Sequence, residues 1–469
     1  MVWLRGPAGT RQQLADRHHF SFQFILAVRP YQFHDIGGHP FARLDHERVG
    51  FQELIIRHGI LRYSFTGSSP NHAYPGNVFG LFHPASMIYQ KRNCSIMSRV
   101  LASPSKYCQG PGELLRIKDR ISYLGGPVLF VMGGFAFKNL KGVIEESFQG
   151  SGITVFFEKF GGECTKKEID RLRLTFRTHN CAVVVGVGGG KALDTAKGVA
   201  YYENIPVVSV PTIASTDAPT SAIAVTYTED HVFDGNLLLP RNPELVLADT
   251  EVITRAPARF LVAGMGDALS TYFEARANAA SGHDNFAGGK PTCTSLALAR
   301  LCYETLVRDG LKAKQDAENG ICSPEVENII EANIYLSGVG FESNGLACAH
   351  SVYNAFTLLA PCHKMYHGEL VAFGTLVQLL LEKREEREID EVLRFCTRVG
   401  LPVTFAGISE RELSRDELMS VAVAACSPAN FMDREPFSVT PEMTFEALIA
   451  ADTLGKKYTK ERAQVRSPG

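Results

Sequence analysis

From residue 98 to about 250 the hydrophobic positions come in short, nearly unbroken runs, interrupted only by Thr154 and Ser209: VLFVM at 128–132, ITVFF at 153–157, VVV at 183–185, VVSV at 207–210 and LVLA at 245–248. Such runs, almost wholly apolar rather than alternating, mark strands buried on both faces of a sheet. A stretch rich in Lys and Glu at helical spacing lies between the first two, and Thr165 with Glu168 three residues on reads as a helix start. Strands alternating with helices imply right-handed βαβ units and a parallel sheet. Residues 222–227 and 233–239, parted by a polar turn, read as a hairpin. After about 255 the strand pattern stops. Helical periodicity takes over at 260–279, 294–307, 324–339, 346–359, 369–383, 389–399 and 441–458. Ser323 before Pro324, and Thr440 before Pro441, supply a cap residue and then proline at the first helical position. The expected architecture is an α/β domain at 97–257 followed by an all-helical domain at 258–469, with the cleft between them as the binding site.

The stretch 182–197, AVVVGVGGGKALDTAK, organises the first of these domains. Strand, glycine turn and helix in that order aim unpaired backbone N–H groups at a phosphate, and glycines let the backbone approach closely. The pattern is not a P-loop, which would need glycine at Val185 and Ser or Thr at Ala192. It is not GxGxxG either, because Lys191 stands where the last glycine would be. By itself it also suits a tight turn in any α/β protein.

Composition narrows the class. At 469 residues, 45% hydrophobic and 21% charged with net charge −2, the chain has no basic surplus for nucleic acid and no apolar run long enough to span a membrane. Eleven scattered cysteines without a CxxC pair suit a reducing, cytoplasmic setting. Residues 1–96 differ: they hold eight of the fourteen histidines, the single tryptophan (Trp3), and no sustained periodicity. They read as a poorly ordered extension, with Met97 a natural start for the patterned remainder of the chain.

Three polar spots stand out among the helices: Asp267 in GMGDALSTYFEA, His350 in GLACAHSVYNAF, and His363 with His367 in HKMYHGELVAFG. An aspartate and imidazoles from separate helices make a ligand set for a borderline divalent cation such as zinc. Hydrogen-bonded interior polar residues are the other reading, and spacing does not show that the three meet.

From Met97 to about Tyr458 the chain resembles the glycerol dehydrogenases of the iron-containing alcohol dehydrogenase superfamily. The resemblance is carried by FGGEC (160–164), EIDRLR (168–173), GGGKALDTAK (188–197), PTIASTDAPTSA (211–222), GMGDALSTYFEA (264–275), GFESNGLACAH (340–350) and HGELVAFGTL (367–376). It implies an α/β dinucleotide-binding domain with a helical metal- and substrate-binding domain, NAD and Zn2+ as cofactors, and oxidation of glycerol or a similar vicinal diol to dihydroxyacetone or the matching ketone. It further implies a cytoplasmic homo-oligomer, commonly an octamer. Position by position, Gly188, Gly189, Gly190, Lys191 and Asp194 match the pyrophosphate turn. Thr212 and Ser215 match cofactor contacts, and Ser221 and Tyr227 match residues near the nicotinamide. Asp217 matches a contact to the substrate hydroxyls, and Asp267, His350 and His367 match the metal ligands. His363 is not carried over as a ligand and is expected near the site mouth. Iron-using relatives carry a histidine where Thr271 stands, which favours the zinc-dependent branch. Zinc would act as a Lewis acid towards the substrate hydroxyl, and the nicotinamide would take the hydride.

Two departures are visible. Gly133 occupies the position of the acidic residue that binds the adenosine ribose, so discrimination against NADP is expected to be modest. Asn344 replaces a usual glycine. Competing activities on the same scaffold, dehydroquinate-synthase-like elimination or oxidation of glycerol phosphate, need a basic phosphate cluster. Around Asp267, His350 and His367 the sequence offers mainly Lys364 and Arg276. A catalytically silent binding protein is the non-enzyme alternative, although every matched position is filled.

Overall fold

In a computed structural model, the structure describes residues 98–465 and, before them, only four short strands. These are β1 (Gly50–Phe51), β2 (Ile55–Arg57), β3 (Ile60–Arg62) and β4 (Phe65–Thr66), paired antiparallel as β1 with β4 and β2 with β3. Apart from those strands, the expectation of a poorly ordered 1–96 lies outside the described residues.

The chain from Ser95 onward is one compact unit. Its centre is a six-stranded sheet of β5 (Tyr107–Gly110), β6 (Val128–Met132), β7 (Val155–Lys159), β8 (Val183–Gly188), β9 (Val207–Pro211) and β12 (Leu245–Asp249). The order is β5-β12-β9-β8-β6-β7 and every pairing is parallel. Four of the apolar runs, in β6, β8, β9 and β12, are buried on both sides, whereas β7, at the sheet edge, is only half-buried. Val183, Val185 and Val187 join a core with Ile117, Ile121 and Ile144, while Val184 faces Ile169, Leu172 and Ala196 of the opposite helices. The strand expected at 153–157 begins two residues later, because Val155 rather than Ile153 is in register with Val128. β5 is an edge strand whose partner β12 lies far along the chain, so no local pattern announces it. The hairpin forms as β10 (Ile223–Tyr227) with β11 (Phe233–Leu238).

The sheet order reverses at β6. The chain steps from there to β7 on one side and to β8 on the other, and the crevice beyond the carboxyl ends of β6 and β8 is the place where such sheets bind ligands. Gly133 and the glycine turn both sit there, joined by Gly133 N–H donating to the Val187 carbonyl at 2.9 Å.

Long helices begin at Ala258–Ser281 and continue through Cys293–Glu318, Cys348–Phe356, His367–Leu381, Glu386–Val399, Arg415–Ala425 and Pro441–Val465. Ser323 caps the helix Pro324–Glu331 through Val326 N–H, with proline at its start. That helix does not run evenly to 339. A π-helical turn at Ala332–Leu336 interrupts it before Ser337–Asn344. The cause is visible in Asn333, whose amide donates to the carbonyls of Ala214 (3.0 Å) and Leu261 (2.9 Å), drawing the turn towards the loop after β9.

Residues 98–102 dock on the helical part. Val100 N–H donates to Lys290 O and Lys290 N–H to Ser98 O, while Ala102 N–H donates to Ser343 Oγ. No helix among the described residues is long and apolar enough to cross a membrane, and every described cysteine is free.

Candidate active site

Asp267, His350 and His367 come from three different helices and meet: one ligand atom from each lies within 4.8 Å of the others. Asp267 is on the third turn of Ala258–Ser281, His350 near the start of Cys348–Phe356, and His367 is the first residue of His367–Leu381. Glycine contacts set the register. A Cβ on Gly368 would lie 1.8 Å from the Ala263 carbonyl, and one on Gly266 would lie 2.2 Å from the Gly368 carbonyl. The helices of Asp267 and His367 therefore touch backbone to backbone beside these side chains, with His367 Nε2 at 3.0 Å and His350 Nε2 at 3.5 Å from Asp267 Oδ1.

His350 is held from behind. Its Nδ1 is 2.6 Å from Glu274 Oε2, and Glu274 Oε1 accepts the backbone N–H groups of Ala347 (2.8 Å) and His350 (2.9 Å). Glu274 is fully buried. It follows Asp267 by seven residues, two turns on the same face of one helix. Sequence reasoning did not single it out, yet that spacing inside GMGDALSTYFEA was the available signal. With Nδ1 bonded to the carboxylate, Nε2 is left for a metal.

Charge is concentrated here. Burial alone would disfavour the Asp267 anion, but His367 and His350 hold its carboxyl below the usual range. Burial works against a charged His350, and Glu274 with Asp267 more than offsets it, raising the imidazole to about 10. Burial and the adjacent Asp267 push Asp217 well above the carboxylate range. Asp217 donates its backbone N–H to Asp267 Oδ2 at 3.3 Å, and its side-chain Oδ2 accepts from Ser337 Oγ at 2.8 Å. Tyr353, one turn after His350, packs edge-on against His367 with ring centroids 4.2 Å apart. His363 stays outside the cluster, its ring bonded to the exposed Thr357 carbonyl.

The other matched residues line or support the crevice at the switch point. Gly188 ends β8, Gly189 caps the helix Gly190–Glu203 without any side-chain cap, and no acidic residue lies in its first turn. Among the described residues, the Gly190 and Lys191 N–H groups have no protein acceptor. A helix N-terminus left open in this way fits a pyrophosphate. Lys191 Nζ is paired with Glu163 Oε2 at 2.6 Å and lies over the Tyr227 ring. Thr212 and Ser215 follow β9, with Thr212 N–H donating to Gly188 O. Asp194 and Ser221 are buried instead, grouped around the fully buried Lys197. Lys197 Nζ donates to the carbonyls of Ala218 (2.5 Å) and Ile223 (2.8 Å), lies 3.5 Å from Ser221 Oγ, and faces Asp194 Oδ1 at 3.6 Å. Neither phosphate-binding cation of the competing activities is free. Arg276 is bonded to Glu382 and Glu388, and Lys364 to Glu410. Asn344 fills its site with bonds to Ser295 and the Gly340 carbonyl.

Comparison with known proteins agrees with this layout. Residues 104–250 match the family model for iron-containing alcohol dehydrogenase. Over 362 residues the chain is 47% identical to glycerol dehydrogenase from Citrobacter freundii, covering 77% of this chain and 99% of that one. The chain belongs to the iron-containing alcohol dehydrogenase family. Among solved structures of the family, glycerol dehydrogenase from Schizosaccharomyces pombe superposes with a TM-score of 0.75 at 36% identity, over 78% of this chain and 93% of that one. A probable glycerol dehydrogenase from Sinorhizobium meliloti 1021 gives 0.73 at 44% identity, over 77% and 100%. The parallel α/β sheet followed by helices is the family fold.

Proposed function

We infer that this protein is an NAD-linked glycerol dehydrogenase whose metal is zinc, acting on glycerol or a similar vicinal diol. The observation that carries the reading is the convergence of Asp267, His350 and His367 in a family whose glycerol-oxidising members are nearly half identical to this chain. The donor set fits a cation. Two imidazole nitrogens and one carboxylate, with His350 pre-oriented by Glu274, are ligands zinc favours. When bound, the cation supplies Lewis acidity towards the substrate hydroxyl and the nicotinamide supplies the hydride acceptor.

The chain's own residues do the rest. Asp267, His350 and His367 hold the cation and so fix where the reacting oxygen sits. Asp217 accepts a second substrate hydroxyl, which selects polyols. Gly188, Gly189, Gly190 and Lys191 receive the pyrophosphate, while Thr212, Ser215 and Tyr227 border the cofactor. Asp194 and Ser221, with Lys197, brace the loop that carries Asp217. In this reading the cleft lies between the sheet-bearing residues 98–257 and the helical residues 258–465. A homo-oligomeric enzyme is part of the same reading, and a cytoplasmic setting suits its free described cysteines.

The test is a spectrophotometric assay with glycerol, 1,2-propanediol, NAD and NADP before and after chelation, with zinc added back. Turnover should vanish with the metal and return with zinc. His350→Ala should lose both bound metal and turnover. Full activity of metal-free protein refutes the reading.

A further inference from the structure

Asp217 is held by one oxygen only. Ser337 Oγ donates to Oδ2 at 2.8 Å, and Oδ1 has no protein partner among the described residues. Ser337 is itself supplied from behind. Its Oγ is 2.8 Å from Thr271 Oγ1, and because Ser337 spends its proton on Asp217, Thr271 is the donor. Both hydroxyls are buried, Ser337 completely and Thr271 at 2% exposure. The result is a directed chain, Thr271 to Ser337 to Asp217, beginning on the helix that carries Asp267.

The backbone around Ser337 is specialised for this contact. Ser337 directly follows the π turn Ala332–Leu336, and a π turn re-aims the residues after it relative to a regular helix. The turn is secured on the same loop, since Thr220 Oγ1 donates to the Ile334 carbonyl at 2.7 Å. Next to Ser337, a Cβ on Gly338 would lie 2.5 Å from Thr220 Cβ and 3.1 Å from the Asp217 carbonyl, so helix and loop meet without a spacer.

We propose, resting on the placement of Asp217 at the substrate given above, that Ser337 backed by Thr271 is a positioning residue for polyol selection. By occupying Oδ2 it turns Oδ1 of Asp217 towards the substrate, ready to accept the hydroxyl that does not react. The substrate class this favours is a vicinal diol with a free neighbouring hydroxyl. A monohydric alcohol gains nothing from the arrangement.

The zinc-loaded, full-length enzyme tests this in a double-mutant cycle. Initial rates are compared for 1,2-propanediol and 2-propanol in wild type, Ser337→Ala, Thr271→Val, Asp217→Asn and Ser337→Ala/Asp217→Asn, with metal content and the thermal shift on adding ethylene glycol measured alongside. Ser337→Ala should lower the diol-to-monohydric ratio of kcat/KM by about fivefold, the scale of one hydrogen bond, mainly through the diol KM. The 2-propanol rate and metal content should hold, and the ethylene glycol shift should shrink. Thr271→Val, which keeps the side-chain volume, should move the ratio the same way by less. The double variant should be no worse than Asp217→Asn alone, because the two residues act as one unit. An unchanged ratio, an equal fall for both alcohols, or effects that multiply in the double variant overturn the proposal. A wild type that prefers diols while Ser337→Ala keeps that preference overturns this proposal alone. A wild type with no diol preference overturns the role given to Asp217 as well.

Discussion

Replacing Glu274 by Gln should loosen the metal without unfolding the protein. Glu274 serves three donors, His350 Nδ1 at 2.6 Å and the N–H groups of Ala347 and His350 at 2.8 and 2.9 Å. The two backbone donors share Oε1, so glutamine keeps them satisfied by placing its oxygen there. Its amide NH2 then faces Nδ1, which must become an acceptor, and the imidazole proton moves to Nε2. That is the nitrogen 3.5 Å from Asp267, the one the metal needs. Changes to the groups that orient a metal-binding histidine typically cost 10–100-fold in affinity, corresponding to about 1.4–2.7 kcal/mol. Competition with a chromophoric chelator measures this directly, and the visible spectrum of the cobalt-substituted protein reports the altered ligand field. Glu274→Ala should be worse in a different way. It leaves two buried N–H groups without an acceptor, at about 1–3 kcal/mol each, and should lower the melting temperature where Glu274→Gln does so little. Zinc affinity of Glu274→Gln within threefold of wild type would falsify the tautomer reasoning.

Three further outcomes are expected. Gly133→Asp should sharpen the preference for NAD over NADP by roughly fivefold, the scale of one repulsive pair in a solvated site. The new side chain fits, with nothing closer than 3.7 Å to its Cβ, so a strong wild-type preference for NADP, or no response in steady-state kinetics, would show that the ribose lies elsewhere. Gly368→Ala should cost at least about 4 kcal/mol in denaturant unfolding and abolish metal binding, since its methyl would overlap the Ala263 carbonyl. Glu435 is buried and raised to about 8, by desolvation first and then by Glu382. Its folded value lies above its unfolded one, so its contribution is fully favourable below about pH 4 and is lost as pH rises through about 8. Glu435→Gln should flatten the fall in urea midpoint across that window, and an unchanged slope would count against the assignment.

The parts legible in the sequence were those with local causes. VLFVM and VVV declared strands because residues buried on both faces must be apolar throughout, and Ser323-Pro324 declared a helix start through its own cap. The proposed metal site was different. Asp267, His350 and His367 are separated by 83 and 17 positions, and only resemblance to a known family joined them. What brings them together is close packing at Gly266 and Gly368, which no periodicity encodes. The π turn was illegible for a similar reason. Its cause is Asn333 reaching two carbonyls at positions 214 and 261, far away in sequence. Glu274 falls between these cases, since its seven-residue offset from Asp267 was in view but its partner on another helix was not.

The loop between β9 and β10 has a thermodynamic consequence. Lys197 of the sheet layer grips it at Ala218 and, just past its end, at Ile223 of β10, and Asn333, Thr220–Ile334 and the Ala222 N–H bond to Glu342 tie it to the helices. Releasing either layer alone would strand a buried ammonium or several buried carbonyls, which couples the unfolding of the two halves. Residues 98–465 should therefore lose heat-stable structure in one step. Scanning calorimetry should find a single endotherm for these residues rather than two resolved ones, despite a sequence that reads as two halves.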